Sequence, residues 1–185
     1  PFKGGSEVLQ AFVGGHINAV LDGGWAQAEK QGKGRVLLMF TEKRLPRLRE
    51  NLERLHAGTA EVSVHDWTKP APEEWHGAFD GILLDVPCSN TGVIRRRVDV
   101  RWRLQAPDIA RIAVTQRKIL ENALPCLKPG GRIVYSTCSI EHEENLGQVE
   151  AFLADHPELR LNGTRDALPF RDHTDGAFAA GIERA

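Results

Sequence analysis

The amino-acid sequence predicts an α/β domain built on a doubly wound, mostly parallel sheet. Strand-like and helix-like segments alternate along the 185-residue chain, which is typical of parallel strands joined by helices. Most of the expected strands are continuous apolar runs rather than alternating patterns, which indicates a sheet covered on both faces. Ligands of such a sheet bind at the carboxyl ends of its strands, so the residues at those ends are the candidates for function.

The composition fits one ordinary globular domain over residues 1–185. Hydrophobic residues make up 41% of the chain and charged residues 26%, and no apolar run approaches the roughly 20 residues of a membrane helix. Because the net charge is only −1, a polyanionic partner must be held by a local patch. Three cysteines do not indicate a disulfide framework and favour a reducing, cytoplasmic compartment. We expect a monomer without a membrane partner, and the abrupt start in a strand-like segment favours part of a longer protein.

Six segments are expected to be strands. RVLLMF, FDGILLDV and RIVYST are compact apolar runs, whereas EVSVHDW alternates between apolar and polar residues. The first segment, EVLQAFV, is followed directly by a pair of glycines. The expected strands cover residues 7–13, 35–40, 61–67, 79–86, 132–137 and 176–182.

Four segments are expected to be helices. Thr41 is a good N-cap for EKRLPRLRENLERLH, in which leucines recur at helical spacing. A longer helix begins near Pro107 and carries isoleucines on its apolar side, and the sequence KPGG is expected to end it. The expected helices cover residues 16–30, 42–56, 107–127 and 141–156.

Two of the three cysteines follow expected strands directly, and each precedes a serine. Since the carboxyl ends of parallel strands meet at one edge, Cys88 and Cys138 should open onto the same crevice. A metal site is weakly supported because there is no C-x-x-C and no histidine at ligand spacing. The compartment disfavours a disulfide, so nucleophilic catalysis by a thiolate near arginines fits best. Cys126, in the apolar LPCL turn, is expected to be a core residue.

Two long motifs carry a family resemblance. DVPCSNTGVIRRRVDVRW and YSTCSIEHEEN together resemble the RNA cytosine-5 methyltransferase family, in particular its bacterial Fmu/Sun branch. KRLPRLRENLERL and DGAFAA are also similar, so the resemblance covers nearly all of the chain from Gly34 onward. It implies a Rossmann-like methyltransferase fold, S-adenosyl-L-methionine as the cofactor, and RNA as the substrate, with rRNA favoured over tRNA.

The resemblance also implies three catalytic roles. Cys138 matches the nucleophile that attacks C6 of the target cytosine, and Cys88 matches the cysteine that helps to release the methylated product. Asp85 matches the carboxylate that faces N3 of the base. The chemistry suits these residue types, because a thiolate added at C6 makes C5 enamine-like and able to take a methyl group. The base must be unstacked or flipped to admit both reagents.

An arginine-rich segment follows the first cysteine motif, and it is predicted to bind RNA. Guanidinium groups bind phosphates, and both guanidinium and indole groups stack on bases. The alternative is a solvated loop with internal salt bridges to Asp99 and Asp108. The predicted RNA-binding residues are Arg95, Arg96, Arg97, Arg101, Trp102 and Arg103.

The cofactor side departs from the family pattern. Where the family reads D-x-C-A-A-P-G-G-K, this chain reads QAFVGGH, and only the glycine pair matches. The second strand ends without an acid for the ribose hydroxyls. The open explanations are altered cofactor contacts, an RNA-binding domain with a degenerate cofactor site, or an error in the sequence of residues 10–40. A dinucleotide oxidoreductase is a remote alternative, since VGGHIN is not G-x-G-x-x-G. The expected cofactor contacts are Gly14, Gly15, Glu42, Asp66, Asp85 and Pro87.

Overall fold

A computed structural model describes residues 37–39, 50, 53–54 and 61–185 of the chain. The chain divides into two compact units, Pro1–Asp66 and Trp67–Ala185. The expected strand at 7–13, the glycine pair that follows it, the helix at 16–30, and the residues Thr41 and Glu42 lie outside the described residues.

The first unit contains a short pair of parallel strands. Strand β1 (Leu37–Met39) pairs with strand β2 (Glu61–Ser63), and Leu38 lies opposite Val62. Both strands fall within segments that the sequence predicts as strands. Glu50, Glu53 and Arg54 are helical, in agreement with the predicted helix over residues 42–56.

The second unit is built on a four-stranded sheet in the order β3-β4-β6-β5. Strands β3 and β4 are parallel, whereas the pairings of β4 with β6 and of β5 with β6 are antiparallel. The α/β fold class is therefore confirmed, and one side of this sheet is antiparallel. The strands are β3 (Phe79–Asp85), β4 (Leu127–Thr137), β5 (Leu159–Ala167) and β6 (Ala177–Arg184).

The helices of the second unit lie between and beside these strands. The longest, α2, starts with a capping box in which the side chains of Gln105 and Asp108 bond to each other's backbone amides. Short 3₁₀ turns occur at Glu73–Trp75, Thr91–Val93, Leu124–Cys126 and His142–Glu144. The helices are α1 (Val100–Arg103), α2 (Ala106–Ala123), α3 (Leu146–Asp155) and α4 (Pro169–Asp172). Among the described residues, none of the helices has the length and apolar character needed to span a membrane.

Two predicted boundaries were wrong. Helix α2 ends at Ala123, because Pro125 lacks the amide that would continue the helix and the chain turns into a 3₁₀ segment. KPGG therefore lies inside β4 rather than ending the helix. The helix predicted over residues 141–156 is divided at Asn145, whose φ of −111° and ψ of −111° separate a 3₁₀ turn from α3.

The core of the second unit packs α2 and α3 against β4 and β6. Leu120 of α2 and Phe152 of α3 are fully buried with Ile133, Tyr135 and Ile182 of the sheet. In β6, buried residues alternate with partly exposed ones, as expected when one face meets the core. Cys126 is fully buried, which confirms its predicted place in the core. This packing holds the carboxyl ends of β3 and β4 in fixed positions.

Candidate active site

The two cysteine motifs leave neighbouring parallel strands at the same edge of the sheet. In the register of β3 and β4, Asp85 lies opposite Ser136, so the two strands end at nearly the same level of the sheet. The structure brings Cys88 and Cys138 together there, with their Sγ atoms 3.1 Å apart. Both cysteines are free thiols that are partly buried. The strand order thus places the two sulfur atoms side by side at the edge of the sheet, as the sequence predicts.

The contact between the sulfur atoms separates their acidities. The hydrogen bond from the Cys138 thiol lowers the pKa of Cys88, although burial acts in the opposite direction. The same contact, together with burial, raises the pKa of Cys138. The charge of Asp85 raises the pKa of Cys138 further, whereas the nearby Arg97 lowers it. Cys88 therefore holds the negative charge first, and the remaining proton of the pair lies on Cys138.

Asn90 contacts both cysteine loops. Its side-chain Nδ2 donates to the backbone oxygen of Cys88 at 2.8 Å, and its Oδ1 lies 3.2 Å from Cys138 Sγ as an acceptor of the thiol proton. The backbone of Asn90 has a φ of 63°, in the left-handed region. Asn90 was not among the predicted site residues, because an asparagine in a turn carries no distinctive pattern. Its role depends on Cys138, 48 residues away.

Three buried hydroxyl groups join the two cysteine motifs. Ser89 Oγ and Thr91 Oγ1 both lie 3.1 Å from Ser139 Oγ, within hydrogen-bond distance. Thr91 also accepts from the amide of Ile140 at 3.1 Å, and Ser139 accepts from the amide of Glu141 at 3.0 Å. The serine after each cysteine is thus bonded to the other, which limits how far the two loops can separate.

Glu144 is hydrogen-bonded to the loop that carries Cys88. Its side chain is fully buried, and both carboxylate oxygens lie 3.0 Å from the amide nitrogen of Ser89. A charge-assisted bond to this amide restrains the residue next to Cys88. Tyr135 donates to the backbone oxygen of Glu144 at 2.6 Å. The EEN sequence was part of the motif, but nothing in the sequence indicated that Glu144 would contact the loop of Cys88.

Asp85 and Pro87 lie on either side of Val86 at the end of β3, and both are exposed. The backbone oxygen of Pro87 accepts from Gln116 of α2 at 2.9 Å, which fixes the start of the loop. Asp85 is close enough to the thiols for its charge to raise the pKa of Cys138. The strand end therefore presents one carboxylate beside the sulfur pair.

A cavity of about 400 Å³ adjoins this loop. Its volume falls within the range of small-molecule sites, roughly 300 to 1,000 Å³. Its lining includes Cys88 and Asn90 from the loop and Leu104, Asp108, Arg111 and Ile112 from the region of α2.

In the predicted RNA-binding segment, some arginines form ion pairs and others do not. Arg95 and Arg96 both contact the carboxylate of Asp175, which is buried, and Arg103 pairs with Asp99 at 3.2 Å. The expected pairing with Asp99 is thus present, whereas Asp108 pairs with Arg111. Within the described part of the chain, Arg97 and Arg101 are exposed and have no ion pair, and Trp102 is 84% exposed.

The described residues include part of the expected cofactor set. In the first unit, Asp66 is exposed and follows β2 by three residues. In the second unit, Asp85 is an exposed acceptor at the carboxyl end of a parallel strand, which fits the hydroxyl and amino donors of S-adenosyl-L-methionine. Gly14, Gly15 and Glu42 lie outside the described residues. No cluster of three metal-ligating side chains occurs in the part of the chain that the structure describes.

Solved structures with the same fold define the class of protein. The chain is similar to the protein described as PH0851, with a TM-score of 0.79 and 31% identity over 95% of this chain and 45% of that one. It is also similar to a methyltransferase homologue from Pyrococcus horikoshii, with a TM-score of 0.64 and 28% identity over 84% of this chain and 55% of that one. The fold is that of a Rossmann-like methyltransferase.

Within that class, the chain belongs to the 16S rRNA methyltransferase RsmB/F family, which matches residues 29–182. The ribosomal RNA small subunit methyltransferase B of Vibrio cholerae is 47% identical over 80% of this chain and 36% of its own length. The protein of the same name in Yersinia pseudotuberculosis is 45% identical over 97% of this chain and 42% of its own length. The chain therefore spans about two fifths of these relatives. The family predicted from the motifs is confirmed, and membership in it supports S-adenosyl-L-methionine as the cofactor.

Proposed function

We propose that this protein methylates carbon 5 of a cytosine in RNA through a covalent bond between Cys138 and C6 of the base. The observation that supports this reaction is the pair of thiols 3.1 Å apart at the carboxyl edge of β3 and β4. Two sulfur atoms suit a mechanism that must both attach and release a base. Small-subunit rRNA is the proposed substrate, because the relatives are named as methyltransferases of that RNA.

The first step is addition of Cys138 to the base. Cys88, whose lower pKa keeps it in the thiolate form, accepts the proton of the Cys138 thiol as the Cys138 sulfur forms its bond to C6. The electron pair of the C5–C6 double bond then shifts into the ring, and Asp85 in its protonated form donates a hydrogen bond to N3, where negative charge develops. Bound S-adenosyl-L-methionine supplies an electrophilic methyl group at C5.

The last step is release of the product. A base such as water accepts the C5 proton, the Cys138 sulfur leaves C6 with the electron pair of the C–S bond, and the C5–C6 double bond is restored. Cys88 lies close enough to Cys138 to assist this elimination as an acid or base. Arg97, Arg101 and Trp102 extend from the following segment and are exposed, which suits contacts with phosphates and bases of the substrate.

The test of the proposed reaction is methyl transfer from isotope-labelled S-adenosyl-L-methionine to small-subunit rRNA. With Cys88→Ala, we expect a covalent protein–RNA complex that survives denaturing electrophoresis, because the adduct forms but is released slowly. With Cys138→Ala, no such complex should form. The absence of both label transfer by the wild-type protein and an adduct in the Cys88→Ala variant would contradict the proposal.

The alternative is an RNA-binding domain with a degenerate cofactor site. The departure at QAFVGGH, where the family motif is replaced, favours this alternative. Calorimetry with S-adenosyl-L-methionine separates the two functions. Heat of binding at millimolar cofactor or below supports the enzyme, whereas retained RNA binding without cofactor binding supports the alternative.

A further inference from the structure

We propose that Asn90 is a positioning residue that holds the Cys138 thiol in its reactive orientation. This role rests on the proposed function, in which Cys138 attacks the base. The side chain of Asn90 spans the two cysteine loops, with Nδ2 donating to the Cys88 carbonyl at 2.8 Å and Oδ1 accepting from Cys138 Sγ at 3.2 Å.

The orientation of the Asn90 amide is determined by its partners. A backbone carbonyl only accepts hydrogen bonds, so the amino group of Asn90 must face the oxygen of Cys88. The amide oxygen is then directed at Cys138, where it can only accept. Rotating the amide by half a turn would place two acceptors together at Cys88, so the acceptor remains beside the nucleophile.

The backbone at Asn90 suits this position. Its φ of 63° and ψ of 23° lie in the left-handed region, which asparagine adopts far more readily than most residues other than glycine. Glycine would keep this turn but would remove the amide. The turn and the amide are therefore separable by substitution, which makes the proposal testable.

The single proton of Cys138 has two acceptors. Cys88 Sγ lies 3.1 Å away and Asn90 Oδ1 lies 3.2 Å away. A hydrogen bond that the neutral thiol donates to Asn90 favours the thiol over the thiolate. Asn90 thus adds to the contact with Cys88 and to burial, which keep Cys138 protonated, and it fixes the direction of the Cys138 sulfur until Cys88 accepts the proton.

The decisive measurement is iodoacetamide alkylation across pH, with each cysteine quantified by peptide mass spectrometry. In Asn90→Gly, loss of the acceptor should lower the pKa of Cys138 and raise its alkylation rate at neutral pH on the order of tenfold. Methyl transfer should change in the opposite direction, with kcat falling about tenfold or more and KM nearly unchanged, because the sulfur is less well oriented. Asn90→Asp should slow alkylation of Cys138, since an added carboxylate raises the pKa of its thiol.

A matched control is His173→Gly. Among the described residues other than glycine, only His173 shares a positive φ with Asn90. Its φ is 53°, and its side chain is exposed. Glycine there tests the left-handed turn without touching the cysteines, so both alkylation and kcat should match the wild type. An unchanged Cys138 profile in a folded Asn90→Gly protein would overturn the inference. Because alkylation needs neither RNA nor cofactor, it decides this point even if the wild-type protein transfers no methyl group, which would refute the proposed function separately.

Discussion

At the scale of single residues, the site depends on two thiols whose acidities differ because they are bonded to each other. Cys88 is stabilised as a thiolate by the proton of Cys138, while burial opposes that charge. Cys138 keeps its proton for the same reason. Neighbouring arginines are a smaller influence than the sequence suggested, because the sulfur contact and burial are the larger causes for Cys138.

The Cys138→Ala variant tests this coupling. Removing the hydrogen-bond donor should raise the pKa of Cys88, since burial would then be left to disfavour its thiolate. Cys88 should become thiolate only at higher pH, and its alkylation rate near pH 7 should fall on the order of tenfold. The pH dependence is measured from the alkylation rate of Cys88 between pH 5 and pH 10.

The control for that experiment is Cys126→Ala. Burial raises the pKa of Cys126 to about 11, and this side chain is fully enclosed in the core. Its removal should leave the profile of Cys88 unchanged. If the pH dependence of Cys88 alkylation in Cys138→Ala matches the wild type, the contact between the sulfur atoms does not determine the pKa of Cys88.

At the scale of elements, the segment that ends in α1 presents its arginines in two groups. Arg95 and Arg96 share the single carboxylate of Asp175, which ties this segment to the turn before β6. Arg97 and Arg101 have no such partner among the described residues and remain exposed. The paired arginines order the segment, and the other two are available for phosphate.

Substitution of the two groups should therefore have unequal effects on RNA binding. We expect Arg97→Ala and Arg101→Ala each to weaken binding and to reduce the slope of log affinity against log salt by about 0.7 per lost phosphate contact. Arg95→Ala, the matched control, should change the slope less, because the guanidinium group of Arg95 is engaged in an ion pair with Asp175. Fluorescence anisotropy with single-stranded RNA at several salt concentrations measures the slope. Equal slopes for all three variants would contradict this division.

At the scale of the whole second unit, two glycines bring three distant segments into contact. The amide of Gly92 donates to the backbone oxygen of Cys138 at 3.0 Å, and the amide of Gly176 donates to the backbone oxygen of Gly92 at 2.7 Å. A side chain at Gly92 would place its Cβ 2.7 Å from the oxygen of Gly176 and 2.8 Å from that of Cys138. The close approach of backbones is what places the Cys138 loop.

Gly92→Ala should therefore disturb both stability and activity. The added methyl group must displace backbone atoms, so we expect a loss of about 1–3 kcal/mol in the free energy of unfolding and slower methyl transfer. Gly163→Ala is the control, because no atom lies within 4 Å of its Cβ position and its change should stay within about 0.5 kcal/mol. Urea unfolding measures both. A Gly92→Ala protein as stable as Gly163→Ala would show that the loops can separate.

Much of the fold was predictable because apolar runs identify strands that face a core. The runs at residues 79–86, 132–137 and 176–182 correspond closely to β3, β4 and β6. Strand β5 was missed, since its residues after Leu159 are mostly polar and largely exposed and leave no continuous apolar pattern. Its backbone pairing with β6, rather than burial of its side chains, makes it a strand.

The sequence by itself determined the family, the α/β class and the two cysteine motifs, because each depends on contiguous stretches of residues. Only the tertiary structure decided which groups act on the sulfur atoms. Asn90 and Glu144 act across 48 and 55 residues of chain, and Asp175 reaches the arginines across 79 and 80. Such contacts depend on strand order and on close backbone approach, and neither is visible in the spacing of residues along the chain.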